Sequence, residues 1–318
     1  MEIKSVALLG AGAVGSYIIW GLSKLPDIRF GIIAEGSRAA RLRDEGCTIN
    51  NVTYHPQVWS PQESKGVDLL IVALKYGALP SALASIREAA GPHTTVMSLM
   101  NGVDSEEIIS SVVDSKQILP ALIKIASRHE NGGVLFNAEK TIGITFGEAQ
   151  APFESERVLA IEALMRSADI HIRHTDCIEE EIWCKFHLNV CSNLPQAVLG
   201  AGLGCYRDSE HMRAIQDGLR RELEAIAAAK GIDLSRCAST TQTNAAPPAV
   251  RYSTLQDLDA GRHTEIDMFS GALMAMGKEL GIPTPYNEYT YHIIKALEEK
   301  NDGLFDYSGQ NKENTCAR

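Results

Sequence analysis

Residues 5–9, SVALL, form a short apolar run that breaks into Gly10, Gly12 and Gly15 and gives way to SYIIWGLSKL. The pattern predicts a strand, a glycine turn and an amphipathic helix in that order. The alternation continues along the first half of the chain. RFGIIAE (29–35) reads as a strand and SRAARLRDEG (37–46) as a helix. VDLLIVALK (67–75) is apolar throughout, as expected of a parallel strand covered on both faces, and GALPSALASIREAAG (77–91) follows as a helix stopped by Gly91. TTVMSLMN (94–101) is a further strand and SEEIISSVV (105–113) a further helix. Strands are also predicted around 117–123, 133–137 and 141–146, with a helix near 153–168. Strands alternating with helices imply a doubly wound parallel sheet.

From about residue 175 the pattern turns helical. Asp176 with Glu179 has the spacing of a capping box, so a helix is predicted to begin there and to run through EEEIWCKFHLNVCSNLPQAV, with a kink at Pro195. Residues 209–230 read as a second long helix ending at Gly231, residues 251–281 as another helical region, and a last helix follows Pro283 and Pro285. The tail from Asn301 is polar and without a period. The expected fold is therefore α/β: a Rossmann-type, doubly wound N-terminal domain over 1–174 and an all-α C-terminal domain over 175–318. The boundary rests on this change of pattern alone.

The opening turn carries the first chemical signal. Gly10 permits a tight turn, Gly12 lets backbone approach a pyrophosphate, and Gly15 lets helix and strand pack closely. With Ala11, Ala13 and Val14 these residues are expected to line the phosphates of a dinucleotide, drawn in by the N–H groups of the following helix. A glycine turn with a purely structural purpose is the alternative. Glu35 ends the second predicted strand, about 20 residues past the last glycine, where an acidic side chain bonds a ribose 2′-OH and favours NAD. Arg38, Arg41 and Arg43 follow closely, and an arginine fork suits the 2′-phosphate of NADP. Both cofactors stay open on these residues.

Length and charge narrow the class. A chain of 318 residues exceeds one comfortable core and suits two domains. The net charge of −10, with no long basic run, argues against a nucleic-acid or anionic-membrane partner. Seven cysteines without a CxxC pair read as free thiols, and no metal site is expected. Neither a signal peptide nor a membrane-spanning stretch is recognisable, which points to the cytoplasm.

Several polar residues stand where an α/β sheet binds ligands. Gly10, Glu35, Lys75 and Asn101 each lie at or just beyond the C-terminal end of a predicted strand. Lys75 reads either as a cofactor contact or as a solvated strand-end lysine, and Asn101 either as a junction between nicotinamide and substrate or as the turn residue of Asn-Gly. In the second half Lys185, Asn189 and Asn193 recur every four residues and share a helical stripe. The bland reading is a solvated face on which Glu181 pairs with Lys185. Ser253 and Glu265 read equally as a helix N-cap and a surface carboxylate.

The blocks LLGAGAVGS (8–16), ALKY (73–76), MNGV (100–103), EIWCKFHLNVCSN (181–193), STLQDLDAGRHTEIDMFSG (253–271) and GIPTPYNE occur in an order that resembles the ketopantoate reductase family over nearly the whole chain. The resemblance implies NADPH-dependent reduction of 2-dehydropantoate to (R)-pantoate, on the route to pantothenate and coenzyme A. It makes Lys185 the catalytic lysine and Asn189, Asn193 and Ser253 its substrate-contacting partners. It sets Asn101 between cofactor and substrate, Lys75 on the cofactor, and Glu265 near the lysine and the nicotinamide ribose. A homodimer is a further family expectation. One departure stands out: many members carry, where this chain has Glu35, an arginine that contacts the 2′-phosphate. NADH and other branched 2-keto acids are therefore the alternative pair, as in relatives that form D-2-hydroxy acids. A dinucleotide sensor on the same fold would have no need of a proton donor, so the set Lys185, Asn101 and Glu265 favours an enzyme.

Overall fold

The apolar runs of the first half assemble into one six-stranded parallel sheet. In spatial order its strands are Gln57–Trp59, Arg29–Ile33, Ser5–Leu9, Leu69–Val72, Thr95–Ser98 and Ile118–Leu119. Counted along the chain that order is 3-2-1-4-5-6, the arrangement of dinucleotide-binding sheets. The structure is a computed structural model, and it describes residues 2–130, 132–237 and 247–305. Val6, Ala7 and Leu8 and all four residues of Leu69–Val72 are buried, because helices cover both faces of the sheet. Asp68 sets the register of these two central strands. Its Oδ2 accepts from the backbone N–H of Lys4 (2.9 Å) and Ser5 (2.8 Å) and from Ser5 Oγ (2.8 Å), one residue ahead of the pair Val6 and Leu69.

The predicted strands are present but shorter at their C-terminal ends. The run 67–75 is extended only over Leu69–Val72, and 94–101 only over Thr95–Ser98. Lys75 and Asn101 therefore stand in loops past the strands, on the ligand-binding edge. Five short strands went unpredicted: Cys47–Ile49, Val52–Tyr54, Gln57–Trp59, Ser127–Glu130 and Ile172–His174. All but Ser127–Glu130, which has four residues, have only three, too few to display a two-residue period. Three of them join Gly133–Phe136 in a four-stranded sheet ordered Ser127–Glu130, Gly133–Phe136, Cys47–Ile49, Val52–Tyr54. The last pairs in a three-stranded sheet with Gly143–Phe146 and Ala121–Lys124.

The second half is helical, as expected. Two compact units emerge, Met1–Phe186 with Ile232–Ala238, and His187–Gly231 with Ser239–Arg318. The sequence pattern changes before this point, at 174, and the first turns of the helix Ile178–Leu188 remain with the first unit. In the second unit the helix Glu210–Ala229 starts at Ser209, whose hydroxyl accepts from Met212 N–H. Its buried Glu222 accepts from the N–H groups of Tyr286 (2.7 Å) and Asn287 (3.0 Å), so a carboxylate from one helix satisfies the first turn of Pro285–Asn301. Among the described residues no helix is long and apolar enough to cross a membrane.

Pro195 does more than kink its helix. It has no N–H for the carbonyl one turn back, and the chain answers with a π-helical turn over Asn189–Asn193 before the α-helix Leu194–Leu199. Asn189 and Asn193 thus stand at opposite ends of a widened turn and not one α-helical turn apart. One expectation about the cysteines is corrected as well. Cys47, Cys177, Cys191 and Cys205 are free thiols, but Cys184 is joined in a disulfide. Spacing along a chain does not report which sulfurs the fold brings together.

Candidate active site

The glycine turn occupies the point where the strand order reverses. Gly10 has φ +113°, and a Cβ there would collide with the Ala73 carbonyl at the end of the neighbouring strand. A Cβ at Gly15 would collide with the Gly10 carbonyl. Gly12 is different: a Cβ there meets nothing within 4 Å. The fold itself has no steric need of a glycine at 12, so that glycine keeps space open to an approaching ligand. Gly12 is also the N-cap of the helix Ala13–Leu22, with no side-chain cap and no acidic residue in the first turn. Free N–H groups and the positive end of the helix dipole face that space, which fits a pyrophosphate. Ala11, Ala13 and Val14 complete the turn.

Glu35 is the exposed N-cap residue of the helix Gly36–Glu45, and its carboxylate makes no capping bond. Arg38 lies exposed in the first turn of the same helix. Arg43 turns away, donating to the Val58 carbonyl at 3.2 Å. Lys75 is exposed at the start of the turn Tyr76–Ala78. The ligand-binding edge of the sheet thus presents a carboxylate and two cations from two connections, Glu35 and Arg38 after Arg29–Ile33 and Lys75 after Leu69–Val72.

The loop after Thr95–Ser98 carries Asn101. Gly102 reverses the chain there with φ +92°, a conformation that glycine adopts without a steric penalty. Asn101 Oδ1 accepts from Lys185 Nζ at 2.8 Å, so two residues far apart in sequence meet in the first unit. Glu181, one turn before Lys185, is engaged by Arg173, Nη2 to Oε2 at 2.5 Å. Lys185 is half-buried on the helix Ile178–Leu188, whose apolar side places Ile182, Trp183 and Phe186 in the interior. Burial also lowers the pKa of Lys124, against the opposing pull of Glu181. Below the Asn101 loop, burial pushes the Glu106 carboxyl up, although Ser105 Oγ donates to it at 2.7 Å.

The remaining predicted residues belong to the second unit. Asn193 is 1% exposed and uses both ends of its amide: Nδ2 donates to Ser253 Oγ at 3.2 Å, and Oδ1 accepts from Thr254 N–H at 3.3 Å. Gln196 completes the support, accepting from Tyr252 N–H at 2.7 Å and donating to the Val250 carbonyl at 2.9 Å. Ser253 therefore opens its helix, Ser253–Asp259, held by two buried amides; sequence spacing had pointed to one of them, Asn193, and not to Gln196. Asn189 is half-buried at the start of the π-helical turn. Glu265 is half-buried just ahead of a second π-helical turn, Asp267–Gly271. Its neighbour Thr264 is anchored through N–H (2.7 Å) and Oγ1 (2.6 Å) to Glu298 Oε1. Both π-helical turns of the second unit border a predicted site residue, the usual location of such turns.

Comparison with known proteins places the chain in a family. Residues 6–151 match the family described as Ketopantoate reductase PanE/ApbA, and residues 177–298 match its C-terminal counterpart. The chain is 24% identical to a 2-dehydropantoate 2-reductase of Archaeoglobus fulgidus, covering 94% of this chain and 99% of the relative. Among solved structures it is similar to a PanE/ApbA family ketopantoate reductase from Ralstonia eutropha JMP134, with a TM-score of 0.76, 24% identity, and coverage of 94% and 99%. It is also similar to a ternary structure of D-mandelate dehydrogenase with NADH and anilino(oxo)acetate, with a TM-score of 0.79, 21% identity, and the same coverage. The chain belongs to the ketopantoate reductase family.

Proposed function

We propose that the chain is a cytoplasmic 2-dehydropantoate 2-reductase that uses NADPH to form (R)-pantoate for pantothenate and coenzyme A synthesis. The observation that carries this reading is the hydrogen bond from Lys185 Nζ to Asn101 Oδ1, on the ligand-binding edge of a dinucleotide sheet. Residues 1–174 then hold the cofactor, and residues 175–318 supply the substrate contacts. Gly10 to Gly15, Lys75 and the Glu35–Arg38 pair would bind the cofactor, with Asn101 and Glu265 toward its nicotinamide end.

When bound, the nicotinamide cofactor supplies the hydride. Reduction of a 2-keto acid builds negative charge on the carbonyl oxygen, and the Lys185 ammonium stabilises that charge and delivers the proton. Asn101 suits this task because an amide oxygen orients the ammonium without taking its proton. Glu265 would meet the nicotinamide ribose, Asn189 and Ser253 would hold the substrate's hydroxyl and carboxylate, and Asn193 would hold Ser253 in place.

Glu35 supports a second reading. Exposed and free of any capping role, it is available to a ribose 2′-OH, which suits NADH and reduction of other branched 2-keto acids to D-2-hydroxy acids. One assay separates the two: oxidation of NADPH and of NADH, each with 2-dehydropantoate and with a panel of branched 2-keto acids. Preference for 2-dehydropantoate with NADPH supports the first reading. Preference for NADH and another keto acid supports the second, and oxidation of neither cofactor overturns both. A homodimer is the assembly we expect, and light scattering at assay concentration tests it.

A further inference from the structure

Asn101 stands on a loop with a glycine at its bend, yet it must keep one amide oxygen in place for Lys185. The loop is closed at its base by a relay of polar groups. Met100 N–H donates to Ser98 Oγ at 3.4 Å, Ser98 Oγ and Ser105 Oγ lie 2.8 Å apart, and Ser105 Oγ donates to Glu106 Oε2 at 2.7 Å. That relay fixes the two ends of the loop against each other. It does not fix the loop's position along the sheet edge.

A second contact does. Tyr76 directly follows Lys75 in the loop after Leu69–Val72, and its hydroxyl donates to Asp104 Oδ2 at 2.5 Å. Asp104 precedes the helix Ser105–Ser110 but makes no side-chain cap to it, so its carboxylate is directed to a partner outside its own helix. The two loops leave adjacent parallel strands, with Leu69 paired to Thr95. The hydrogen bond therefore runs between loops across the ligand-binding edge, and its charged acceptor makes it a strong one.

The geometry points to Tyr76 and Asp104 as positioning residues: a clasp that ties the Asn101 loop to the Lys75 loop and so keeps the Asn101 amide aimed at Lys185. Neither residue needs to touch the reacting atoms. The inference rests on the reading of Lys185 and Asn101 as the reducing machinery.

The test uses Tyr76→Phe, Asp104→Ala, their combination, and Asp104→Asn, which keeps an acceptor for the phenol. Tyr76→Phe and Asp104→Ala should each lower kcat for keto-acid reduction by about 10-fold, the scale of a small misplacement near reacting groups. The double variant should be no slower than the worse single one, since both break the same contact. Asp104→Asn should recover most of the rate. Affinity for NADPH and NADH, titrated separately by fluorescence, should fall by less than kcat does, because the glycine turn that faces the pyrophosphate keeps its place. In the free protein, amide hydrogen exchange over 99–105 should speed up in Tyr76→Phe while exchange in Ser5–Leu9 stays as it was. Multiplicative losses in the double variant, or exchange unchanged over 99–105, would overturn the clasp. A wild-type protein that reduces no keto acid would sink the functional reading, and the exchange measurement would still decide whether the clasp exists.

Discussion

Lys185 Nζ donates to Asn101 Oδ1 at 2.8 Å across a sequence separation of 84 residues. A neutral acceptor is informative here. A carboxylate in its place would stabilise the ammonium strongly and hold back the proton, whereas an amide directs it and leaves it transferable. Lys185→Ala should therefore lower kcat by about 10²-fold or more, the scale of a lost general acid. Cofactor affinity should change little. Near-normal turnover in that variant would remove Lys185 from the reaction.

Glu35 makes a separate prediction about the cofactor. Its carboxylate is exposed at the head of Gly36–Glu45, with Arg38 in the same first turn. A carboxylate repels a 2′-phosphate and accepts from a 2′-OH. Glu35→Arg should thus shift the ratio of kcat/KM values toward NADPH by about 10-fold or more, the usual scale for a gained arginine–phosphate contact. An unchanged ratio would mean that Glu35 does not face the ribose.

On the substrate side the burial of Asn193 separates two roles. With its amide spent on Ser253 and Thr254, it acts chiefly through Ser253. Ser253→Ala should raise KM for the keto acid by about 10-fold, equivalent to the loss of one hydrogen bond, and lower the melting temperature modestly, because the buried Asn193 Nδ2 loses its acceptor. Asn193→Ala should raise KM similarly and also lower the melting temperature, because it leaves the Thr254 N–H buried without its acceptor. A fully stable Asn193→Ala would contradict its supporting role.

Much of the architecture was legible because it depends on local pattern. The run SVALL, the three glycines and the all-apolar 69–72 each announce their structure by composition within a few residues. Lys185, Asn101 and Ser253 were legible as residues through their motifs, but their partners were not. Nothing in spacing predicts that Lys185 meets Asn101, that Glu181 serves Arg173, or that Gln196 carries the approach to Ser253, since these contacts form only after distant segments pack. The π-helical turns were hidden for a related reason. Pro195 signals a disturbed helix, and the form of the disturbance depends on what the surrounding helices allow.

Asp68 provides a pH-dependent test of the first unit. Burial alone would raise its pKa, but the N–H groups of Lys4 and Ser5 and the Ser5 hydroxyl outweigh burial and hold the carboxyl below its ordinary value. A carboxyl whose folded pKa is depressed adds stability in full above its unfolded pKa, about 3.9, and loses it as pH falls through the folded value. Asp68→Asn keeps an acceptor and removes the charge. At neutral pH it should cost about 1 kcal/mol, or roughly 2 °C of melting temperature in a chain of this size. Below about pH 4 the gap between variant and wild type should narrow, because the wild-type carboxyl is then protonating as well. Melting curves taken from neutral pH down to the acid limit of folding give the comparison. A gap of constant size across that range would show that the charge on Asp68 contributes nothing and that hydrogen-bond geometry alone ties Ser5–Leu9 to Leu69–Val72.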